Sequence, residues 1–242
     1  MGRSAMRCGT AGLLVLSLAG MALAVEPEYG FGGGGPGLGL FMPDLTAIET
    51  FVEGAGFPSF DGDPFLIGGG GRGGLIPGLA FGGAGWGAWI ESRQGNLKAD
   101  FGVGLGGFDL GFAVGGDERS VLTLGGVIGG GGAELVLTEH PVAVPVGRTP
   151  RGIIVEPTQQ IYDSAFAFIA PYVDIQIQLL GWMGLDVRAG YVLTLFELNW
   201  QDKGTLDPPS LAPPGPFVQF SIVFGGIGKI ESEPLDDAAL TP

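Results

Sequence analysis

The residues with the clearest chemical potential in this chain are few and scattered. Its single histidine, His140, stands between Glu139 and Pro141. With no second histidine and no cysteine beside it, one imidazole cannot seed a typical zinc site, and no H-E-x-x-H occurs. A Ser-His-Asp triad would have to recruit this same residue, without a G-x-S-x-G elbow to present a nucleophile. Its place at the end of a strand-like run gives it an exposed strand-terminal role instead. Gly102, Gly104 and Gly107 spell G-x-G-x-x-G. A dinucleotide fingerprint needs a helix to begin there, and "FDLGFAV" follows with the alternation of a strand. "GIGK" at Gly226–Lys229 fails as a phosphate loop because Ile230 stands where Ser or Thr is required. Asp61, Gly62 and Asp63 make a turn rather than a calcium loop. Paired carboxylates could serve glycosidic chemistry. Asp174, Gln176, Asp186 and Arg188 read more economically as an interior polar network on one face of a sheet. No catalysis, metal or cofactor is expected.

A sheet is what must position that network. "PYVDIQIQLLGWMGLDVRAGYVLTLFELNW" (Pro171–Trp200) alternates strictly. Val173, Ile175, Ile177 and Leu179 share one face, Asp174, Gln176 and Gln178 the other. Across the hairpin near Gly181–Gly184, Asp186 and Arg188 share a face with Gly184 and Gly190. Leu185, Val187, Ala189, Tyr191, Leu193 and Leu195 share the opposite one. Consecutive strands are expected from Gly78 onward: through "GLAFGGAGWGAWIES", over a turn at Gly95, then "LKADFGVGL", "FDLGFAV", "SVLTLGGVI" and "AELVLTE". "PFVQFSIVF" is the last strand. The proline-rich stretch 141–163 is a long loop with room for an edge strand at 152–155, and 201–215 is a second loop. One helix is expected over about 44–54, capped by Asp44, with Leu45, Ile48, Phe51 and Val52 on its apolar face.

Glycine supplies 49 of 242 residues, several times its usual share, yet 45% of residues are hydrophobic, so the chain must bury surface. Glycine tetrads occur near residues 32, 68 and 129, at spacings too unequal for a solenoid. Glycine within strands implies close backbone approach or barrel corners. Gly69, Gly70, Gly130 and Gly131 are therefore expected where a neighbour leaves no space for a Cβ. Residues 1–24 have the basic start, apolar run and small residues (Ala22, Ala24) of a cleaved export signal. Cys8 lies inside it, so disulfides and thiolate chemistry are excluded from the chain that follows. Loss of Arg3 and Arg7 with the signal shifts the net charge from −14 to −16. An acidic surface of that size argues against nucleic acid and anionic headgroups.

The dyad-patterned hairpins, the export signal and the aromatic residues near strand ends resemble those of small outer-membrane β-barrel proteins. That resemblance covers Gly78–Gly225 and is one of architecture. It implies an all-β fold, an antiparallel up-and-down barrel of about 8–10 strands, with the helix plugging one end. Domains are then a signal at 1–24, one glycine-rich β domain at 25–228, and a disordered acidic tail at 229–242. Trp86, Trp89, Tyr172, Trp182, Tyr191 and Trp200 are the expected interfacial aromatic girdle. The expected function is non-enzymatic, structural or weakly pore-forming, with a lipid bilayer or cell-envelope proteins as partners. The alternative is a soluble secreted β-sandwich or closed barrel that acts at a surface or binds a partner. The outward faces discriminate: lipid requires an apolar belt on every strand, water requires polar residues.

Overall fold

Period-two alternation leaves strands with one face to bury, and here the chain solves the edge problem by closing the sheet on itself. A computed structural model describes residues 26–140, 157–202 and 209–230, with backbone alone at 199–202. The expected export signal, the candidate edge strand at 152–155 and the tail beyond Ile230 fall outside these residues. Eight antiparallel strands form the wall: β1 (Tyr29–Phe41), β2 (Phe65–Ile76), β3 (Gly78–Gln94), β4 (Leu97–Gly116), β5 (Ser120–Glu139), β6 (Thr158–Leu180), β7 (Met183–Asp202) and β8 (Gly215–Lys229). Each pairs with its sequence neighbour, and β1 closes on β8. Helix α1 (Thr46–Gly54) lies between β1 and β2.

Register fixes the geometry of the wall. Partners run from Phe31 to Gly74, Ala80, Gly111, Gly125, Tyr172, Gly190 and Phe217, and return to β1 at Phe41. One circuit thus advances ten residues along β1, a shear of 10. Eight strands with that shear tilt about 40–45° from the barrel axis. One end, the turn end, carries the start of β1, the end of β8 and the tight turns at Pro77, Asp117–Arg119 and Gly181–Trp182. The other, the loop end, carries 42–64 with α1, the two-residue turn at Gly95–Asn96, and the connections after β5 and β7.

Inside and outside exchange chemistry partway along the strands. Toward the loop end, β4 turns Ala99, Phe101, Val103 and Leu105 inward and Lys98 and Asp100 outward. Past Gly106–Gly107 the same parity holds, but Phe108, Leu110 and Val114 now point outward and Asp109 inward. In β5 the exchange falls at Gly129–Gly132, between inward Leu135 and Leu137 and outward Leu122, Leu124 and Ile128. "LKADFGVGL" and "FDLGFAV" are therefore one strand, as are "SVLTLGGVI" and "AELVLTE". A switch of apolar face reads as a turn in sequence; here it marks two sections of one continuous wall. The two glycine-rich N-terminal segments are strands too, which makes the total eight.

The tetrads lie in the wall, facing glycines of the neighbouring strand. Gly32 and Gly34 oppose Gly73 and Gly71, and Gly129, Gly130 and Gly132 oppose Gly107, Gly106 and Gly104, with Gly131 opposite Leu105. Inward glycines accept aromatic rings from the next strand: a Cβ at Gly131 would lie 2.7 Å from the Phe166 ring, and one at Gly68 2.6 Å from Trp86. Gly69 and Gly70 are each blocked by a neighbouring carbonyl at 2.5 Å. Gly130 departs from expectation. It faces outward, its nearest neighbour would be a carbonyl oxygen at 3.5 Å, and a side chain has room there.

Helix α1 closes the loop end. Leu45, Ile48 and Val52 join Phe41, Phe101, Leu137, Tyr162 and Leu211 in one buried cluster, and Phe51 stands edge-on to Tyr162 at 5.2 Å. The N-cap is Leu45 rather than the expected Asp44; Asp44 stands one residue earlier and accepts from the Thr46 N–H at 3.2 Å. A smaller apolar cluster of Phe31, Ile76, Ala80, Ala113 and Val121 fills the turn end.

Candidate functional site: a polar layer inside the barrel

Between these two apolar clusters the interior is charged. The pairing of β6 with β7 sets Asp174 opposite Arg188 and Gln176 opposite Asp186. On the far side of β7, Arg188 faces Gln219 and Asp186 faces Ser221 of β8. All six side chains point inward and are buried. From the opposite wall come Arg72 of β2 and Asp109 of β4, both buried. Gly82 of β3 separates these two in register. Its missing side chain is what admits Arg72, whose Cβ would lie 2.6 Å from a Cβ there.

The charges interlock across the lumen. Arg188 Nη2 meets Asp109 Oδ2 at 2.9 Å and its Nε approaches Asp174 Oδ2 at 3.4 Å. Arg72 Nη2 contacts Asp174 and also Asp186 Oδ2, the latter at 3.2 Å. Tyr172 sits between the two guanidiniums. Its hydroxyl donates to Asp109 Oδ1 and accepts from Arg72 Nη1 at 3.2 Å, while Arg188 lies over its ring at 4.0 Å from the centroid. The ring has this place because β4 and β5 present glycine to it: a Cβ at Gly125 would stand 2.5 Å from the hydroxyl. Beside this layer, Trp86 Nε1 donates to Gln219 Oε1 at 2.7 Å. Burial of charge is tolerable only with partners of this kind, since an unpaired ion in a low-dielectric interior is strongly disfavoured.

The four residues singled out in sequence thus share one layer, but the layer is larger. Arg72 and Asp109 were hidden inside glycine-rich segments; each is the one charged residue of its strand's inward face, and parity is the signal that exposes it. Two aromatic expectations are corrected. Trp86 and Tyr172 are buried inside the barrel, not on a girdle. Trp89 and Tyr191 do face outward, and Trp182 lies exposed in the β6–β7 turn, stacked on Phe224 at 6.2 Å. Trp200 is among the residues described by backbone alone. No cluster of metal-ligating side chains occurs among the described residues.

The outer wall has the opposite chemistry. Every strand exposes large apolar side chains there: Leu38 and Leu40 on β1, Phe65 and Ile67 on β2, Leu79 and Phe81 on β3, Phe108 and Leu110 on β4, Leu122 and Leu124 on β5, Ile175 and Ile177 on β6, Leu193 and Leu195 on β7, Phe220 and Ile222 on β8. Along β6 the band runs from Ile169 to Leu179. At about 2.4 Å of height per tilted residue that is about 25 Å, the height of a lipid-facing belt. Toward the loop end, Glu91, Lys98, Asp100, Glu134 and Asp163 take over the outward positions. Lys98 bridges Glu91 and Asp100 at 3.0 and 2.8 Å. No helix among the described residues is long and apolar enough to cross a membrane, which says nothing of strands.

No family model matches the chain. No curated protein matches it either. Among solved structures it is similar to Ail, the attachment invasion locus protein of Yersinia pestis, at 11% identity and a TM-score of 0.43, over 84% of this chain and 100% of that one. A second structure of Ail, in complex with the heparin analogue sucrose octasulfate, gives a TM-score of 0.42 at the same identity. It is also similar to the outer membrane protease OmpT of Escherichia coli, at 12% identity and a TM-score of 0.27, over 84% of this chain and 95% of that one. Likeness at this level concerns strand architecture and bears on no activity.

Proposed function

We propose that the chain is an integral outer-membrane barrel with a structural, non-enzymatic role. The observation that carries this reading is the apolar outer belt on all eight strands, set around a charged interior layer. In water such a belt would far exceed the few hundred Å² of contiguous apolar surface that soluble monomers expose. In lipid it is the expected exterior of a closed barrel, whose ladder leaves no unpaired edge. By the usual asymmetry of such barrels, the turn end faces the periplasm and the loop end, with α1, faces outward. The soluble alternative has one feature in its favour, the polar outward face near the loop end. That face covers the section already expected to stand above the bilayer.

Absence of catalysis is supported by where the reactive groups are. Asp109, Asp174, Asp186, Arg72 and Arg188 are buried inside the wall, between two apolar clusters. The same clusters argue against even weak pore formation. Fractionation followed by a carbonate wash tests membrane integration, with retention in the pellet as the expected result and release as the contrary one. Planar-bilayer recording tests the role, with no steady conductance expected.

A further inference from the structure

The polar layer borders a cavity of about 30 Å³, lined on one side by Arg72, Gln176, Asp186, Arg188 and Ser221, and on the other by glycines of β1–β3. Two of its lining side chains have donors without an acceptor among the protein atoms, Arg72 Nε and Gln176 Nε2. Both residues are more than nine-tenths buried, at 8% and 2% exposure. Orphaned donors at that depth are disfavoured, and native structures satisfy them. We infer that this cavity is a hydration site that holds water as a permanent part of the layer.

The occupant's chemistry follows from the lining. It must accept from Arg72 Nε and Gln176 Nε2, which excludes a bare cation. It must also sit beside the Asp186 carboxylate, with Asp174 bonded to the same Arg72, which disfavours an anion. A small neutral molecule that both donates and accepts meets both conditions. The volume sets its size: a buried water needs about 10–15 Å³ on this measure, so about two fit and no organic ligand does. Water here accepts from the two orphaned donors and donates to Asp186 or the Ser221 hydroxyl. It completes the hydrogen bonding that a network of five ionisable groups demands. Apolar clusters lie above and below it, and slow exchange with bulk is part of the proposal.

The test is heteronuclear NMR on the full chain in detergent micelles, reading cross-peaks from water to the Arg72 Nε–H and the Gln176 side-chain amide. The expected result is cross-peaks at both groups whose nuclear and rotating-frame Overhauser effects have opposite sign, the mark of long-lived water. Gln176→Leu should abolish one set and weaken the Arg72 set. Absence of long-lived cross-peaks at both donors in the wild type overturns the inference without recourse to any variant. So does an anomalous bromide or rubidium peak in the cavity of soaked crystals, which would assign it to an ion. If Gln176→Leu folds and leaves the Arg72 signal unchanged, water is not shared between the two donors and the assignment fails.

Discussion

At the scale of single residues, the interior is organised by pairs whose members fail if separated. Arg188 holds both Asp109 and Asp174. Arg188→Leu leaves those two carboxylates with one guanidinium fewer, and breaking a buried pair costs on the order of 3–5 kcal/mol. Urea titration of the folded barrel in phospholipid vesicles reads this directly; a loss below about 1 kcal/mol would mean the layer is effectively wet. Neighbouring glycines give a sharper contrast. Gly131→Val drives methyl groups into the Phe166 ring and should be strongly destabilising, while Gly130→Val points outward into space and should be neutral or stabilising by up to about 1 kcal/mol. Parity was the legible part of this chemistry, and residue type the misleading part. Tyr172 shares its face with Asp174 and Gln176, so alternation already places it inside. Trp86 and Trp89 are three residues apart and cannot share a face of one strand. Parity therefore divides the aromatics near strand ends between the two faces, and they cannot form one girdle.

At the scale of elements, each closure has an identifiable cause. The β4–β5 turn is tied by Asp117 Oδ1, which accepts the N–H groups of Arg119 and Ser120 at 2.8 Å each and the Ser120 hydroxyl at 3.1 Å. These bonds, the Arg119 N–H foremost, hold the Asp117 carboxyl below its ordinary value of 3.8. A depressed carboxylate contributes stability above its unfolded pKa and loses it as pH falls through the folded one. The turn should therefore be indifferent to pH from neutrality down to about 4 and loosen only below it. Asp117→Ala should remove that acid-side dependence, read as amide exchange of Arg119 and Ser120 against pH. At the other end, Ile48 and Val52 dock α1 on the barrel. Ile48→Ala should cost about 2–5 kcal/mol locally, seen as faster proteolysis within 42–64 while the strands stay protected. The helix was legible because its apolar spacing is helical and uninterrupted. Strand lengths were not, because a glycine pair inside a 20-residue strand and a glycine turn between two short ones look alike in sequence. Only pairing partners resolve the two.

At the scale of the whole molecule, the barrel is two materials joined end to end. Near the loop end it has a dry core and a charged exterior, the arrangement of a water-soluble protein. Toward the turn end it has a charged interior layer, capped by a small apolar cluster, and an apolar exterior, the arrangement of a membrane protein. The exchange occurs where glycine is densest, so the outward faces of β3–β6 carry lipid-type and water-type sections on one strand. A sequence reading that asks for a single solvent around the whole chain must find such strands ambiguous. The membrane reading makes a depth-dependent prediction that a soluble fold does not share. Ile175 is 45% exposed on the outer face of β6, within the belt. If lipid surrounds it, Ile175→Lys should cost about 2–4 kcal/mol in vesicles, because the ammonium must leave water. Glu91 lies beyond the belt on β3, where Glu91→Lys should change stability by less than about 1 kcal/mol. In a soluble protein both sites are surface positions, and both substitutions should be nearly neutral. Equal, small effects at the two positions would remove the bilayer from the account and leave only the barrel.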